Sequence, residues 1–186
     1  MRISDADILF IPGLGGSGPD HWQSRWEHKL STGRRVEQED WDRASLRAWT
    51  QRIAREVARS HQAGRPVLLI AHSLGSLAAV HAAPLLREGP VAGAYLIAPP
   101  SDAALAAIAE VDPAFVPVPM QPLPFASVLV ASRNDPYCTL ADAEERAKAW
   151  GSTFVDAGDS GHINSDSGHG PWPEGLMRLA AFLKTL

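Results

Sequence analysis

The chain has 186 residues, of which 45% are hydrophobic and 20% are charged, a composition typical of a folded globular protein. Its formal net charge of -4 offers no basic surface for nucleic acid, and no apolar stretch is long enough to span a membrane. The single cysteine, Cys138, excludes an internal disulfide, and the N-terminal residues do not resemble a signal peptide. We therefore expect one cytoplasmic domain over residues 1–186.

Short apolar runs alternate with helix-like segments about six times along the chain. This alternation predicts an α/β fold, with about six strands in a mostly parallel sheet and helices on both faces. Asp20 is the predicted N-cap of the first helix. The strands are predicted at residues 8–11, 35–39 (a polar edge strand), 67–70, 94–97, 128–130 and 153–155. The helices are predicted at residues 20–30, from Ser45, from Leu74, at 102–111, from Thr139 and from Pro173.

Residues 112–124 contain five prolines, which lack the amide hydrogen that helices and inner strands need. An irregular loop is therefore expected there. Because this segment follows the strand next to residues 67–70, we predict that it covers or flanks a substrate pocket.

A serine lies between the buried strand at residues 67–70 and the helix that follows it. Ser73 has the small residues Ala71 and Gly75 two positions away on either side. A sharp strand-to-helix turn requires such small neighbours, because larger side chains would collide with the adjoining strand and helix. This is the pattern of a nucleophile elbow in an α/β-hydrolase, with Ala71 in place of the usual first glycine. The alternative is that Ser73 only caps the helix.

An acid and a histidine follow two later predicted strands, as this chemistry requires. Asp135 comes after the fifth strand and His162 after the sixth, so the chain order is Ser, Asp, His. Histidine can accept the serine proton near neutral pH, and a carboxylate can orient the imidazole and stabilise its charged form. Ser73, Asp135 and His162 are therefore the predicted catalytic triad.

Each member of this triad has a weaker competitor or a simpler interpretation. His169 lies in the same loop as His162 and is the second choice of base, while Asp159 is the rival acid. Asp135 alone could be an acid in a surface turn, since its sequence context favours turns. The order and placement of the three residues favour the triad.

The glycine-rich turn after the first strand predicts half of an oxyanion hole. Leu74, directly after Ser73, would supply one backbone N–H, and Leu14 the other, with Gly15 as the second choice. The turn matches neither common nucleotide-binding glycine motif, so no nucleotide cofactor is expected.

Two tryptophans in predicted loops, Trp41 and Trp172, are candidate substrate-binding residues. The alternative, with equal weight, is that they anchor their loops. No group of His, Cys and Asp residues has zinc-ligand spacing, so neither a metal nor another cofactor is expected. Cys138 has no neighbouring base that would make it a nucleophile.

Four motifs together resemble one family, the small serine hydrolases related to retinoblastoma-binding protein nine. They are PGLGGSGPDHW at residues 12–22, AHSLG at 71–75, SRNDPY at 132–137 and GHIN at 161–164. The segment GPWPEG at residues 170–175 is similar to that of the bacterial branch. The resemblance implies a compact α/β-hydrolase without the two antiparallel N-terminal strands of larger relatives, the same triad, and ester hydrolysis.

One departure from the family concerns its protein partner. Binding to a retinoblastoma pocket uses Leu-x-Cys-x-Glu, whereas the only cysteine here lies in Pro136-Tyr137-Cys138-Thr139-Leu140. That partner is not supported.

The sequence therefore predicts a cofactor-free serine hydrolase that acts on esters with small or medium acyl groups. Thioesterase and amidase variants use the same machinery and stay open, as does the oligomeric state. The alternative from another class is a protein-interaction module in which the triad has no productive pocket.

Overall fold

A parallel β-sheet of six strands forms the centre of the molecule, which a computed structural model describes over residues 1–86, 89 and 91–186. The strand order is β2-β1-β3-β4-β5-β6, and every pairing is parallel. The strands are β1 (Asp7–Ile11), β2 (Gly33–Arg35), β3 (Val67–His72), β4 (Val91–Ile97), β5 (Ala126–Ala131) and β6 (Thr153–Asp156).

Over the described residues, six α-helices accompany the sheet, and four short 3-10 turns lie between the larger elements. The helices are α1 (Trp22–Lys29), α2 (Leu46–Gln62), α3 (Leu74–Ala82), α4 (Asp102–Ala106), α5 (Leu140–Trp150) and α6 (Pro173–Leu183). The 3-10 turns are Ile3–Asp5, Ala83–Leu86, Pro113–Phe115 and Ser165–Ser167. No described helix has both the length and the apolar character that a membrane crossing requires.

The two faces of the sheet bury two separate clusters of side chains, which explains the continuous apolar runs in the sequence. In β1, Leu9 and Ile11 pack on the face of α2, α3 and α5, whereas Ile8 and Phe10 pack on the face of α1 and α6. Side chains alternate between faces along a strand, so a strand covered on both faces needs apolar residues at every position. The fold is the predicted α/β-hydrolase, and the described residues contain no antiparallel strand.

Three predicted boundaries were wrong, and the structure shows what each segment does instead. The edge strand pairs through Gly33–Arg35 rather than residues 35–39, with these residues opposite Ile8–Phe10 of β1, and an ion pair joins Arg34 to Asp7. Helix α1 is capped by His21, whose Nδ1 accepts the Gln23 N–H, while Asp20 pairs with Arg25 instead.

The third error concerns the helix after β4. It was predicted over residues 102–111 but ends at Ala106, because the following segment pairs with another part of the chain. The Ala44 N–H donates to the Glu110 carbonyl at 2.9 Å, and Ala44 forms an isolated parallel bridge with Val111. The alanine-rich composition favours a helix, but this long-range pairing ends it.

Candidate active site

The sharp turn between β3 and α3 carries the candidate nucleophile. Ser73 has φ 53° and ψ -128°, a conformation that L-residues rarely adopt. Its N–H donates to the Ile97 carbonyl at 2.9 Å, and its own carbonyl accepts the Ser76 N–H at 2.9 Å. Such strain costs on the order of 1–3 kcal/mol, and it persists only where the surroundings enforce it. It holds Ser73 at the carboxyl end of the sheet.

Close backbone packing around this turn explains two of its glycines. A Cβ atom on Gly75 would collide with the carbonyl oxygens of Ile11 and Pro12 at the end of β1. A Cβ atom on Gly13 would lie 2.8 Å from the Ser73 Cβ, closer than carbon atoms approach without bonding. The glycine-rich turn therefore lies directly against Ser73, and only glycine permits this approach.

A continuous chain of hydrogen bonds joins Asp135, His162 and Ser73. The His162 Nε2 lies 2.8 Å from the Ser73 Oγ, and its Nδ1 lies 3.0 Å from both carboxylate oxygens of Asp135. The carboxylate can only accept, so Nδ1 donates to it and Nε2 is left to accept the serine proton. The Asp135 side chain is only 3% exposed and also accepts the Tyr137 N–H.

The competing residues take other positions. His169 lies beside Ser167, with its Nδ1 3.2 Å from the Ser167 Oγ, and its ring meets Trp172 edge-on. Partial burial lowers the pKa of His169 below its usual value. The acid that contacts the His162 ring is Asp135 and not Asp159.

Two further histidines lie next to His162: His72 bonds to its backbone, and His21 packs on the His72 ring. The His72 Nε2 donates to the His162 carbonyl at 2.8 Å, and the His21 ring meets the His72 ring edge-on. Complete burial, and then the proximity of His162 and His21, lowers the pKa of His72 well below its usual value. Burial, followed by the charge of Arg35, lowers the pKa of His21 to about 4. Both rings are therefore neutral at physiological pH.

A small polar network ties the loop of Asp135 to the loop of His162. The Asn134 Oδ1 accepts the Gly161 N–H at 2.7 Å and the Ser132 hydroxyl at 2.8 Å. The Ser132 Oγ also accepts the Ser160 N–H at 2.8 Å. This structural role of Asn134 and Ser132 was not predicted from the sequence. Their position just before Asp135, directly after β5, could have indicated that they hold the loop of the predicted acid.

The two residues whose backbone amides were predicted to form an oxyanion hole, Leu14 and Leu74, both line the cavity beside Ser73. The Leu74 N–H is the first of helix α3, where an amide has no partner within the helix. Among the described residues, neither this amide nor the Leu14 N–H has an acceptor. The second choice, Gly15, differs, because its N–H donates to the Trp41 carbonyl at 2.8 Å. An oxyanion hole formed by Leu14 and Leu74 stays a prediction that this arrangement allows.

A cavity of about 330 Å³ opens beside Ser73 and His162. Its apolar wall includes Leu105, Ile108 and Val111, which follow β4, and its polar wall consists of residues 164–166. The Tyr137 ring also lines it and meets the His162 ring edge-on, with the centroids 4.6 Å apart.

The Pro-rich segment 112–124 was predicted to cover or flank this pocket. None of its residues lines the cavity, so it is not a cover. Its first residues do flank the apolar wall, because Asp112, Pro113 and Val116 share an adjacent surface pocket with Leu105, Ile108 and Val111. The cavity is lined by the residues just before the segment. The segment itself packs on α5, where the Trp150 Nε1 donates to the Pro119 carbonyl and the Trp150 carbonyl accepts the Leu123 N–H. The prolines correctly indicated irregular structure. They did not indicate that the segment packs on α5.

Neither candidate tryptophan lines the cavity. Trp172 is only 4% exposed and stacks on Trp26 in the core beside α1 and α6, so the substrate-binding interpretation is wrong for it. Trp41 packs edge-on against Trp49, and its carbonyl accepts the Gly15 N–H. Trp41 therefore anchors the glycine-rich turn, the alternative interpretation.

Outside the triad, the described residues provide neither a reactive thiol nor a metal site. Cys138 is buried, and burial raises the pKa of its thiol to about 11, so it is a poor nucleophile. Within the part of the chain that the structure describes, no three His, Cys, Asp or Glu side chains are arranged to hold a metal.

Comparisons with known proteins identify the family of this chain. The model of a family described as Serine hydrolase matches residues 8–181. The chain belongs to the serine hydrolase family. A YdeN-like hydrolase from Pectobacterium atrosepticum is 36% identical, with a TM-score of 0.85 over 98% of this chain and 94% of that one. No curated protein sequence gave a significant match.

More distant solved structures share the fold of this serine hydrolase. The ydeN gene product of Bacillus subtilis is 16% identical, with a TM-score of 0.73 over 96% of this chain and 99% of that one. A Bacillus cereus carboxylesterase is 17% identical, with a TM-score of 0.61 over 100% of this chain and 91% of that one. The hydrolase is thus an enzyme of the predicted fold class and family.

Proposed function

We propose that this serine hydrolase is a carboxylesterase that cleaves esters with small or medium acyl groups through an acyl-enzyme on Ser73. The observation that carries the proposal is the hydrogen-bonded chain from Asp135 through His162 to Ser73, with distances of 3.0 and 2.8 Å. A serine that is hydrogen-bonded to an imidazole, which is in turn oriented by a buried carboxylate, is the standard activated nucleophile of acyl transfer.

In the first half of the reaction, the Ser73 Oγ attacks the ester carbonyl carbon while the His162 Nε2 accepts the hydroxyl proton. The carbonyl oxygen becomes an oxyanion, which the Leu14 and Leu74 N–H groups would stabilise. When the tetrahedral intermediate collapses, the bond to the alcohol oxygen breaks and His162 returns the proton to that oxygen. The alcohol leaves, and the acyl group stays on Ser73.

In the second half, His162 removes a proton from water, and the resulting hydroxide attacks the acyl carbonyl. Collapse of the second intermediate releases the carboxylic acid and returns the proton to the Ser73 Oγ. Asp135 stabilises the imidazolium in both halves and keeps the ring in the tautomer that accepts at Nε2.

The cavity favours an enzyme over an interaction module. The module hypothesis needs a triad without a productive pocket, whereas about 330 Å³ of space lies against Ser73, within the usual range for small-molecule sites. Leu105, Ile108 and Val111 give this space an apolar wall that suits an acyl chain.

The test combines covalent labelling with turnover of p-nitrophenyl esters, thioesters and anilides of the same acyl group. We expect one fluorophosphonate adduct per chain, lost in Ser73→Ala and slowed in His162→Ala. Asp135→Asn should lower kcat by about four orders of magnitude, the loss measured for the orienting acid in a well-studied triad.

Matched controls come from the competing residues. His169→Ala and Asp159→Asn remove a histidine and an acid of the same loop and should leave ester turnover unchanged. If folded protein forms no adduct at Ser73, the interaction module becomes the better explanation. If thioesters or anilides are cleaved faster than esters, the carboxylesterase assignment is wrong although the triad stands.

A further inference from the structure

The two walls of the active-site cavity come from opposite faces of the sheet and differ in chemistry. Leu105 and Val111 belong to the core on the side of α2, α3 and α5. Ile163 belongs to the core on the side of α1 and α6, and residues 164–166 continue from it into the cavity. A bound ester therefore lies across the carboxyl edge of the sheet, with an apolar surface on one side and a polar surface on the other.

The position of His162 determines which part of the ester meets each wall. Its Nε2 must deliver a proton to the leaving alcohol oxygen, so the alcohol lies on the side of His162. The polar wall follows His162 by two to four residues in the chain and lines the same cavity. The acyl group then extends toward Leu105, Ile108 and Val111.

The polar wall carries an unneutralised negative charge. Asp166 is the one formally charged Asp, Glu, Lys or Arg among the described residues that line the cavity. Within the described part of the chain, no Lys, Arg or His side chain forms an ion pair with it. The neighbouring Asn164 keeps its amide NH₂ available, because only its Oδ1 bonds to the Ser167 N–H and hydroxyl.

We infer that residues 164–166 form an alcohol subsite that favours leaving alcohols with a cationic group, such as an amine or a quaternary ammonium, through the Asp166 carboxylate. The inference rests on the proposed esterase function. It follows from the placement of one acidic side chain on the leaving-group side of a cavity whose other described liners include no Asp, Glu, Lys or Arg.

The experiment compares two esters with the same acyl group and alcohols of the same shape. Butyrylcholine carries a quaternary nitrogen where 3,3-dimethylbutyl butyrate carries a neutral carbon. The ratio of their kcat/KM values isolates the contribution of the positive charge. In Asp166→Asn, we expect this ratio to fall about two- to fivefold, as for an exposed ion pair, because kcat/KM for butyrylcholine falls more than kcat/KM for the neutral ester.

Asp159→Asn is the matched control, because it removes the same charge from the same loop at a residue that does not line the cavity. It should preserve the ratio. In the wild-type enzyme, the ratio should also fall as NaCl is added, since salt screens exposed charges. If turnover of either ester is too slow, inhibition of p-nitrophenyl butyrate hydrolysis by choline and by 3,3-dimethylbutanol gives the same comparison.

Three outcomes overturn the inference while leaving the esterase function intact. They are an unchanged ratio in Asp166→Asn, an equal fall in Asp159→Asn, and a wild-type ratio that does not respond to salt. By contrast, the absence of any ester turnover together with no labelling of Ser73 would refute the proposed function itself.

Discussion

Replacement of Asn134 by alanine would test whether the active site depends on the network that ties its two loops together. The Asn134 Oδ1 accepts hydrogen bonds from the Gly161 N–H and the Ser132 hydroxyl. Gly161 directly precedes His162, so this one oxygen fixes the chain beside the proposed base. Alanine removes both bonds and introduces no clash.

The expected loss of stability is small, whereas the expected loss of activity is larger. Each hydrogen bond contributes about 0.5–1.5 kcal/mol, and water can replace the acceptor of the exposed Gly161 amide. A net loss of about 1 kcal/mol corresponds to about 2–4 °C in the melting temperature of a chain of this size. Misplacing a reacting group by about 1 Å can cost about 100-fold in rate, so we expect kcat to fall about 10- to 100-fold.

The assay compares kcat, KM and the rate of fluorophosphonate labelling in Asn134→Ala with those in Asn134→Asp. The aspartate keeps an oxygen acceptor for the Gly161 N–H and should restore most of the activity. KM should change little, because Asn134 does not line the cavity. Turnover within twofold of wild type in Asn134→Ala, with Asp135→Asn inactive, would refute the reasoning that the network positions His162.

Two further predictions concern stability. Gly75→Ala should lower the free energy of unfolding by about 3 kcal/mol or more, because its new methyl group would meet the backbone oxygens of Ile11 and Pro12. Urea denaturation measures this loss. The control Gly18→Ala should change the free energy of unfolding little, because a Cβ atom at Gly18 has open space around it. Burial alone would raise the pKa of Asp7, but hydrogen bonds from Arg65, Arg34 and Ser60 lower it to about 2. A lowered folded-state pKa stabilises the protein above about pH 4, so Asp7→Asn should cost about 2 kcal/mol at pH 7 and progressively less as the pH falls toward 2. A constant difference between pH 7 and 3 would contradict this assignment.

The sequence predicted the centre of the sheet because both of its faces are buried. The predicted strands at residues 67–70, 94–97 and 128–130 all lie within β3, β4 and β5. In a chain where such runs alternate with helix-like segments, a continuous apolar run of this length indicates a strand that is buried on both faces. The proximity of Ser73, Asp135 and His162 could be predicted for the same reason, since the carboxyl ends of parallel strands share one edge of the sheet.

Features that depend on long-range contacts could not be predicted in this way. Helix α4 ends early because its continuation pairs with Ala44, which is distant in the sequence. The same pairing carries Ile108 and Val111 to the cavity, so the apolar wall was missed and the Pro-rich segment was chosen instead. Trp172 was a candidate binding residue because it is a tryptophan in a predicted loop. Its burial against Trp26 depends on how α1 and α6 pack together, which the sequence does not show.

The strand order explains why the loop of His162 needs its own anchors. β6 lies three strands from β3, about 14 Å at the usual spacing of parallel strands, so this loop must return across β5 and β4 to reach Ser73. Two hydrogen bonds hold its backbone there, from the His72 Nε2 to the His162 carbonyl and from the Trp22 Nε1 to the Ile163 carbonyl, both 2.8 Å. His72 ends β3 and Trp22 begins α1, so the elements beside the candidate nucleophile also position the proposed base. The neutral state of His72 suits the proposed mechanism. A charged imidazole at this position would repel the imidazolium that forms at His162 and would therefore destabilise it.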